Sequence, residues 1–218
     1  MATAGLSVDQ ARCMILHVCD RLIASKDVLT QADKSIGDGD HGIGMARGFS
    51  AVRQKLEAAH CESLSELFQC IGSTLLTSVG GASGAIFGCF FSGAARGLGD
   101  CDTFDAKALS VMLSSGFQEV RTRGKAAVGD KTMLDALNPA AVISAEMASA
   151  SLYDSLRAAA KAACDGMEAT KTMIARTGKA KTLGERSLGH ADPGAISVHL
   201  ILQAMSEYAQ AFVCKDET

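Results

Sequence analysis

Residues 71–95, IGSTLLTSVGGASGAIFGCFFSGAA, carry no charged side chain. A run of that length is long enough to cross a bilayer. It also contains six glycines and four serines, and Gly80-Gly81-Ala82-Ser83-Gly84 breaks it in the middle. The stretch therefore reads as two buried helices of a soluble protein meeting at a glycine loop, not as a membrane span. That reading makes the rest of the chain a search for further helices.

The search finds them on both sides. Ser7-Val8-Asp9-Gln10 has capping-box spacing, and Ala11, Ile15, Val18 and Leu22 follow at helical intervals, which predicts a helix over residues 8–25. Leu29 to Asp33 reads as a short turn or helical fragment, and Gly37 to Gly44 as a glycine and acid loop, followed by a helix through Met45, Phe49, Val52 and Leu56. Ser63-Leu64-Ser65-Glu66 is a second capping box, opening a helix through Leu76. Ser83 is placed to cap a helix ending near Gly97, and Asp105 opens one through Val120. A helix begins around Lys131 to Leu137, where Asn138-Pro139 interrupts or kinks it, and another runs from Leu152 to Ile174. Thr177 to His190 is a glycine-punctuated loop. Asp192 caps the last helix, Pro193 takes its first position, and the helix ends near Val213. The total is about eight helices with no confident strand, and no linker divides the chain. The expectation is all-α: one helical bundle over residues 1–218.

Composition supports this. The chain has 218 residues, 48% hydrophobic and 21% charged, with two prolines, two tyrosines and no tryptophan. Sustained β-branched runs are scarce, which excludes a β-sandwich. A chain of this length buries about 70% of its unfolded surface, so its core needs no staple. The net charge of −3 with no basic block excludes a nucleic-acid partner held through a basic face. Eight cysteines, at 13, 19, 61, 70, 89, 101, 164 and 214, show no CxxC spacing and read as reduced thiols of a cytoplasmic protein. The start, MATAGLSVDQARC, lacks the pattern of a secretory signal.

Three segments carry chemistry. Asp33-Lys34-Ser35-Ile36-Gly37-Asp38-Gly39-Asp40-His41-Gly42 places three acids close together, and such a cluster repels itself unless a cation or protons neutralise it. Hard oxygen ligands suit Mg²⁺ or Ca²⁺. The string Gly37 to Gly42 fits GxGxxG, but no apolar strand precedes it. An EF-hand fails because Phe49 falls where the bidentate glutamate belongs. Gly80 to Gly84, small residues before a helix, suits a phosphate cradle on backbone N–H groups. Thr177 to Ala195 mixes glycines with Lys179, Lys181, Arg186 and His190, as an anion-facing lid would. There is no GxxxxGK[ST] string, HRD or DFG. Acids, cradle and basic lid are the three parts that phosphoryl transfer requires.

Four strings carry a family resemblance: Ile36 to Gly42, Gly80 to Gly84, Gly129-Asp-Lys-Thr-Met133 with Asp135-Ala-Leu137, and Gly184-Glu-Arg-Ser187 with Gly189 to Gly194. Together, and in the same order, they resemble the nucleotide-binding L domain of dihydroxyacetone kinases over essentially the whole chain. The resemblance implies a single-domain antiparallel barrel of eight helices with the nucleotide, ADP or ATP, at one end. It implies that Asp33, Asp38 and Asp40 hold two Mg²⁺ ions. It also implies that His41, Gly42, Ile43, Gly44, Ala82 and Ser83 contact the nucleotide, that Gly124 and Met133 line its adenine side, and that Asp192, Pro193 and Gly194 close the site. Lys179 stands where many members have arginine and is expected at the phosphates, with Arg186 as a second basic group.

The family has fused, ATP-using members and separate L subunits that keep ADP as a cofactor rephosphorylated by a phosphotransferase-system protein. A chain of L size implies a separate K subunit that holds the short ketose substrate. A nucleotide-sensing regulatory subunit and a nucleotide domain like that of fatty acid kinases are the alternatives. The choice of donor, the choice of ketose and a homodimer stay open at this stage.

Overall fold

The computed structural model describes residues 5–216, with side chains to residue 212. The first four residues of MATAGLSVDQARC, the start read as no secretory signal, and the Cys214 thiol lie outside the described residues and side chains. The helices are α1 (Val8–Ala24), α2 (Lys26–Ile36), α3 (His41–Ala58), α4 (Leu64–Ser78), α5 (Gly81–Leu98), α6 (Ala106–Gly124), α7 (Leu134–Glu146), α8 (Leu152–Ala169) and α9 (Pro193–Asp216). Two 3₁₀ segments, Thr170–Thr172 and Lys179–Ser187, lie between α8 and α9. A two-residue antiparallel pair, β1 (Leu6–Ser7) and β2 (Thr103–Phe104), staples the start of α1 to the start of α6. The fold is all-α, as expected.

Local chemistry sets most of the boundaries. Ser7 and Gln10 form a full capping box: Ser7 Oγ accepts from Gln10 N, and Gln10 Oε1 accepts from Ser7 N at 2.8 Å. At α4, Ser63 Oγ accepts from Glu66 N, but the Glu66 carboxylate turns to Glu62 N instead of Ser63 N. Asp105 caps α6 through Ala108 N at 2.8 Å. Several boundaries differ from expectation, and the stretch read as a loop from Thr177 to His190 is mostly the 3₁₀ segment Lys179–Ser187. The stretch read as a turn fragment is the 11-residue helix α2. Helix α3 begins at His41, so His41 to Gly44 form its first turn and are not loop. Helix α5 begins at Gly81 with Gly80 as its cap, so Ser83 lies inside the first turn and caps nothing.

Pro139 sits within α7 without ending it. Its ring removes the hydrogen bond that would reach the Asp135 carbonyl. That carbonyl faces Gly166 of α8, where a Cβ would collide with it. The last turns expected of α8, to Ile174, give way after Ala169 to the 3₁₀ turn.

Packing closes the helices into a ring. Each of α3 to α9 packs on the next, α9 packs back on α1, and α1 on α3. Helix α2 stands outside this ring of eight, against α3. The uncharged stretch becomes α4, the Val79-Gly80 link and α5. At their crossing a Cβ on Gly72 would lie 2.9 Å from the Gly88 carbonyl oxygen, so only glycine permits this approach. Phe68 stacks between Phe91 and Phe104 at 6.1 and 5.9 Å. No helix among the described residues is long and apolar enough to cross a membrane. The seven described cysteines are free thiols, and burial pushes Cys19 up to about 12.

Candidate nucleotide and cation site

Helices α3, α5 and α9 all start at one end of the ring, and α2 ends there. Their termini enclose a cavity of about 530 Å³. Three helix N-termini aim orphan N–H groups and the positive ends of their dipoles toward it, which favours an anion. The start of α5 is the barest: Gly80, with φ +79°, caps it with no side-chain hydrogen bond. Those N–H groups stay open to a ligand.

Opposite the amides lie the acids. One carboxylate oxygen each from Asp33, Asp38 and Asp40 converges within 4.8 Å of the others, Asp33 half-buried and the other two exposed. Asp33 comes from the last turns of α2, and its Oδ2 accepts the His41 N–H at 3.1 Å, tying α2 to the start of α3. Lys179 reaches across from the 3₁₀ segment. It hydrogen-bonds Asp38 and lies 3.3 Å from Asp40 Oδ2. The Lys179 ammonium holds the Asp38 carboxyl below the usual range, and the same contact raises Lys179. An all-oxygen set, two of whose members already hold a positive charge, fits a hard divalent cation such as Mg²⁺.

His41 is buried where α3, α5 and α9 meet. Its Nε2 is 2.8 Å from Ser197 Oγ, and its Nδ1 is 3.0 Å from Ser83 Oγ. Ser197 donates its proton to the Pro193 carbonyl at 3.1 Å, so it accepts from His41 Nε2–H. Nδ1 is then the acceptor and takes the Ser83 proton. Burial lowers the His41 pKa against the pull of Asp33 and Asp40, in keeping with this neutral ring.

The wall toward α9 is a buried charged group. Lys131, in the left-handed region at φ +61°, donates to the carbonyls of Thr170 and His190, both at 2.5 Å. Asp135 accepts from Gly129 N and Thr132 N and holds the loop that bears Lys131. Asp192 caps α9 through Ala195 N at 2.8 Å. Burial pushes its carboxyl up to about 7, with the Asp135 charge adding to the rise and Lys131 opposing it. Burial also lowers Lys131.

Of the residues expected at the site, Asp33, Asp38, Asp40, His41, Ile43, Gly44, Ala82, Ser83, Met133, Lys179, Asp192, Pro193 and Gly194 line this cavity. Three are placed elsewhere. Gly42 turns toward α2, where a Cβ would collide with Lys26 and Thr30. Gly124 ends α6 beside Ile86, outside the lining residues. Arg186 lies exposed beyond Gly184 and does not reach the cavity. Sequence reasoning missed Arg47, Ile86 and Phe87 in the wall. Arg47 clamps the end of α4, donating to Ser78 O at 2.7 Å and to Val79 O. Helical spacing was its signal, since Arg47 follows Gly44 by three positions on one face of α3.

A closed ring of helices with amides on one side of a cavity and a cation-ready acid cluster on the other defines a class: a helical domain built to take an anion together with a metal ion. The chain belongs to the DAK2 domain family, whose model matches residues 35–207. It is 41% identical over 189 residues to the Escherichia coli PEP-dependent dihydroxyacetone kinase, ADP-binding subunit DhaL, covering 86% of this chain and 90% of that one. A Listeria innocua subunit of the same description is 38% identical over 186 residues, covering 85% and 89%. The human triokinase/FMN cyclase is 34% identical over 212 residues, which are 95% of this chain but 36% of that protein. Among solved structures, the C. freundii dihydroxyacetone kinase in complex with AMP-PNP and Mg²⁺ superposes with a TM-score of 0.73 at 27% identity. That likeness covers 93% of this chain, which spans about a third (34%) of the kinase.

Proposed function

We propose that this chain is the nucleotide-holding subunit of a dihydroxyacetone-type kinase, one DhaL-type domain over residues 1–218. The observation that carries the reading is the meeting of three helix N-termini and three carboxylates in one cavity, in a chain that aligns with about nine-tenths of two ADP-binding subunits. Asp33, Asp38 and Asp40 would hold two Mg²⁺ ions. Held there, such ions would neutralise phosphate charge.

The chain's own residues do the rest. The N–H groups at the start of α5, around Ala82 and Ser83, and that of Ile43 at the start of α3 receive phosphate oxygens, while the His41 N–H stays with Asp33. Lys179 supplies positive charge from the 3₁₀ segment. Met133 packs against the base. Asp192, Pro193 and Gly194 shut the cavity at the start of α9 and keep water from the phosphates. No general base need come from this chain, because the ketose, dihydroxyacetone or a similar short sugar, would sit on a separate K subunit. The names of the bacterial relatives support a standing ADP recharged by a phosphotransferase-system protein over exchange of free ATP. The working compartment would be the cytoplasm.

The test is direct. Asp38→Ala should retain its helical circular dichroism and lose Mg²⁺-dependent ADP binding in calorimetry. Unchanged affinity in that variant rules the metal role out. Phosphoryl transfer to dihydroxyacetone with an added K subunit tests the activity itself.

A further inference from the structure

The acid cluster holds a positive charge of its own. Among the described residues, Lys179 is the only basic side chain paired with Asp38 and Asp40. Its ammonium is held by two of the three converging carboxylates, those of Asp38 and Asp40. A divalent cation on those oxygens and an ammonium beside it repel one another at contact distance. The two are therefore alternative occupants.

Glycines in the left-handed region punctuate the segment that carries Lys179. Gly178 and Gly184, at φ +64° and +55°, flank its first part, and Gly189, at +82°, closes it. The segment packs on α2, the helix of Asp33. Its two ends are fastened away from α2: Arg176 N, just before it, donates to Asp130 O at 3.1 Å, and at the far end Gly189 N donates to Lys171 O at 2.8 Å while Lys131 holds His190 O. Between these anchors the 3₁₀ part, Lys179–Ser187, is the portion that rests on α2.

We propose that Lys179 is the resident counter-cation of the acid cluster, that a divalent metal displaces it, and that this displacement frees residues 177–189 and delivers the ammonium to the bound anion. This regulation rests on the reading of the three acids as a metal site. Lysine suits the role better than arginine. A compact ammonium on a flexible stem leaves two carboxylates easily, whereas a planar guanidinium grips them through a fixed fork.

The test uses Mn²⁺ without nucleotide, followed by the electron paramagnetic resonance of the free ion. Lys179→Met keeps the length and removes the charge. It should bind Mn²⁺ roughly two- to fivefold tighter than the parent protein, the scale expected for losing an exposed competing ion pair. Asp38→Asn should bind far more weakly than either. Amide exchange over 177–189 should speed up in the parent on adding Mn²⁺ and be fast in Lys179→Met with or without it. Equal or weaker Mn²⁺ binding by Lys179→Met, or exchange that ignores the metal, overturns the proposal while the loss in Asp38→Asn keeps the metal reading intact. If neither the parent nor Lys179→Met holds Mn²⁺, the metal reading fails and this inference falls with it.

Discussion

His41 and Asp192 show what single residues contribute. His41 joins Ser83 and Ser197, which lie 42 and 156 positions away, through one neutral ring. Ser197→Ala leaves the buried Nε2–H without an acceptor. We expect it to cost about 1–3 kcal/mol in urea unfolding, the scale of an unsatisfied buried donor. Nitrogen-15 spectra of the parent should show the proton on Nε2; a proton on Nδ1 would contradict the hydrogen-bond chain. Asp192 makes a pH prediction. Its carboxyl, facing Asp135 and Lys131, titrates at about 7 in the folded protein against an ordinary 3.8. Between those values the folded state keeps a proton that the unfolded chain has released. The contribution of Asp192 to stability is therefore complete below about pH 4 and is lost as pH rises toward 7. Asp192→Asn keeps a neutral cap for α9, so its stability relative to the parent should rise between about pH 4 and 7 and level off above that. A flat difference across that window would refute the shift. Asp192 was legible as an N-cap before proline. The Lys131 group behind it was not, because it draws its carbonyl partners from 39 and 59 positions downstream.

Helices with strong caps and apolar periodicity were readable in advance; α2 was not. Of its 11 residues only Leu29 and Ile36 are buried hydrophobics, too few for a periodic signal. Docking on α3 makes it a helix. Gly42 allows that docking by letting the Lys26 and Thr30 backbone come close. Gly42→Ala should therefore push α2 away and carry Asp33 with it. The expected result is a loss of about 1–3 kcal/mol from overpacking, together with weaker Mn²⁺ binding. Ser63→Ala, which removes the α4 cap, should cost about 1 kcal/mol and leave Mn²⁺ affinity unchanged. If both variants bind Mn²⁺ like the parent, α2 does not position the acid cluster. The same element logic explains the early boundary of α5. Gly80 adopts a positive φ that Ser83 could not, so the helix starts earlier and its amides stay uncapped.

Ring closure is what assembles the site from residues as far apart as Asp33 and Gly194. A ligand bridging α2, α3, α5 and α9 should stabilise the whole ring. With ADP and Mg²⁺ at about 100 times the dissociation constant, linkage gives about 2.7 kcal/mol. For a chain of this size that is a rise of roughly 5–10 °C in melting temperature. Asp38→Ala should show almost none of this rise, and an equal rise in both would place the nucleotide elsewhere. Sequence alone determined the all-helical class, most caps and the three chemical strings, because capping, periodicity and backbone freedom act within a few residues of chain. Only the tertiary structure decided that α2 is a helix, that Gly42, Gly124 and Arg186 stand outside the cavity wall, and that Arg47 belongs to it. It also decided that Lys179 sits on the acids. Each of these depends on which distant surfaces meet when α9 closes on α1, and local propensity carries no record of that meeting.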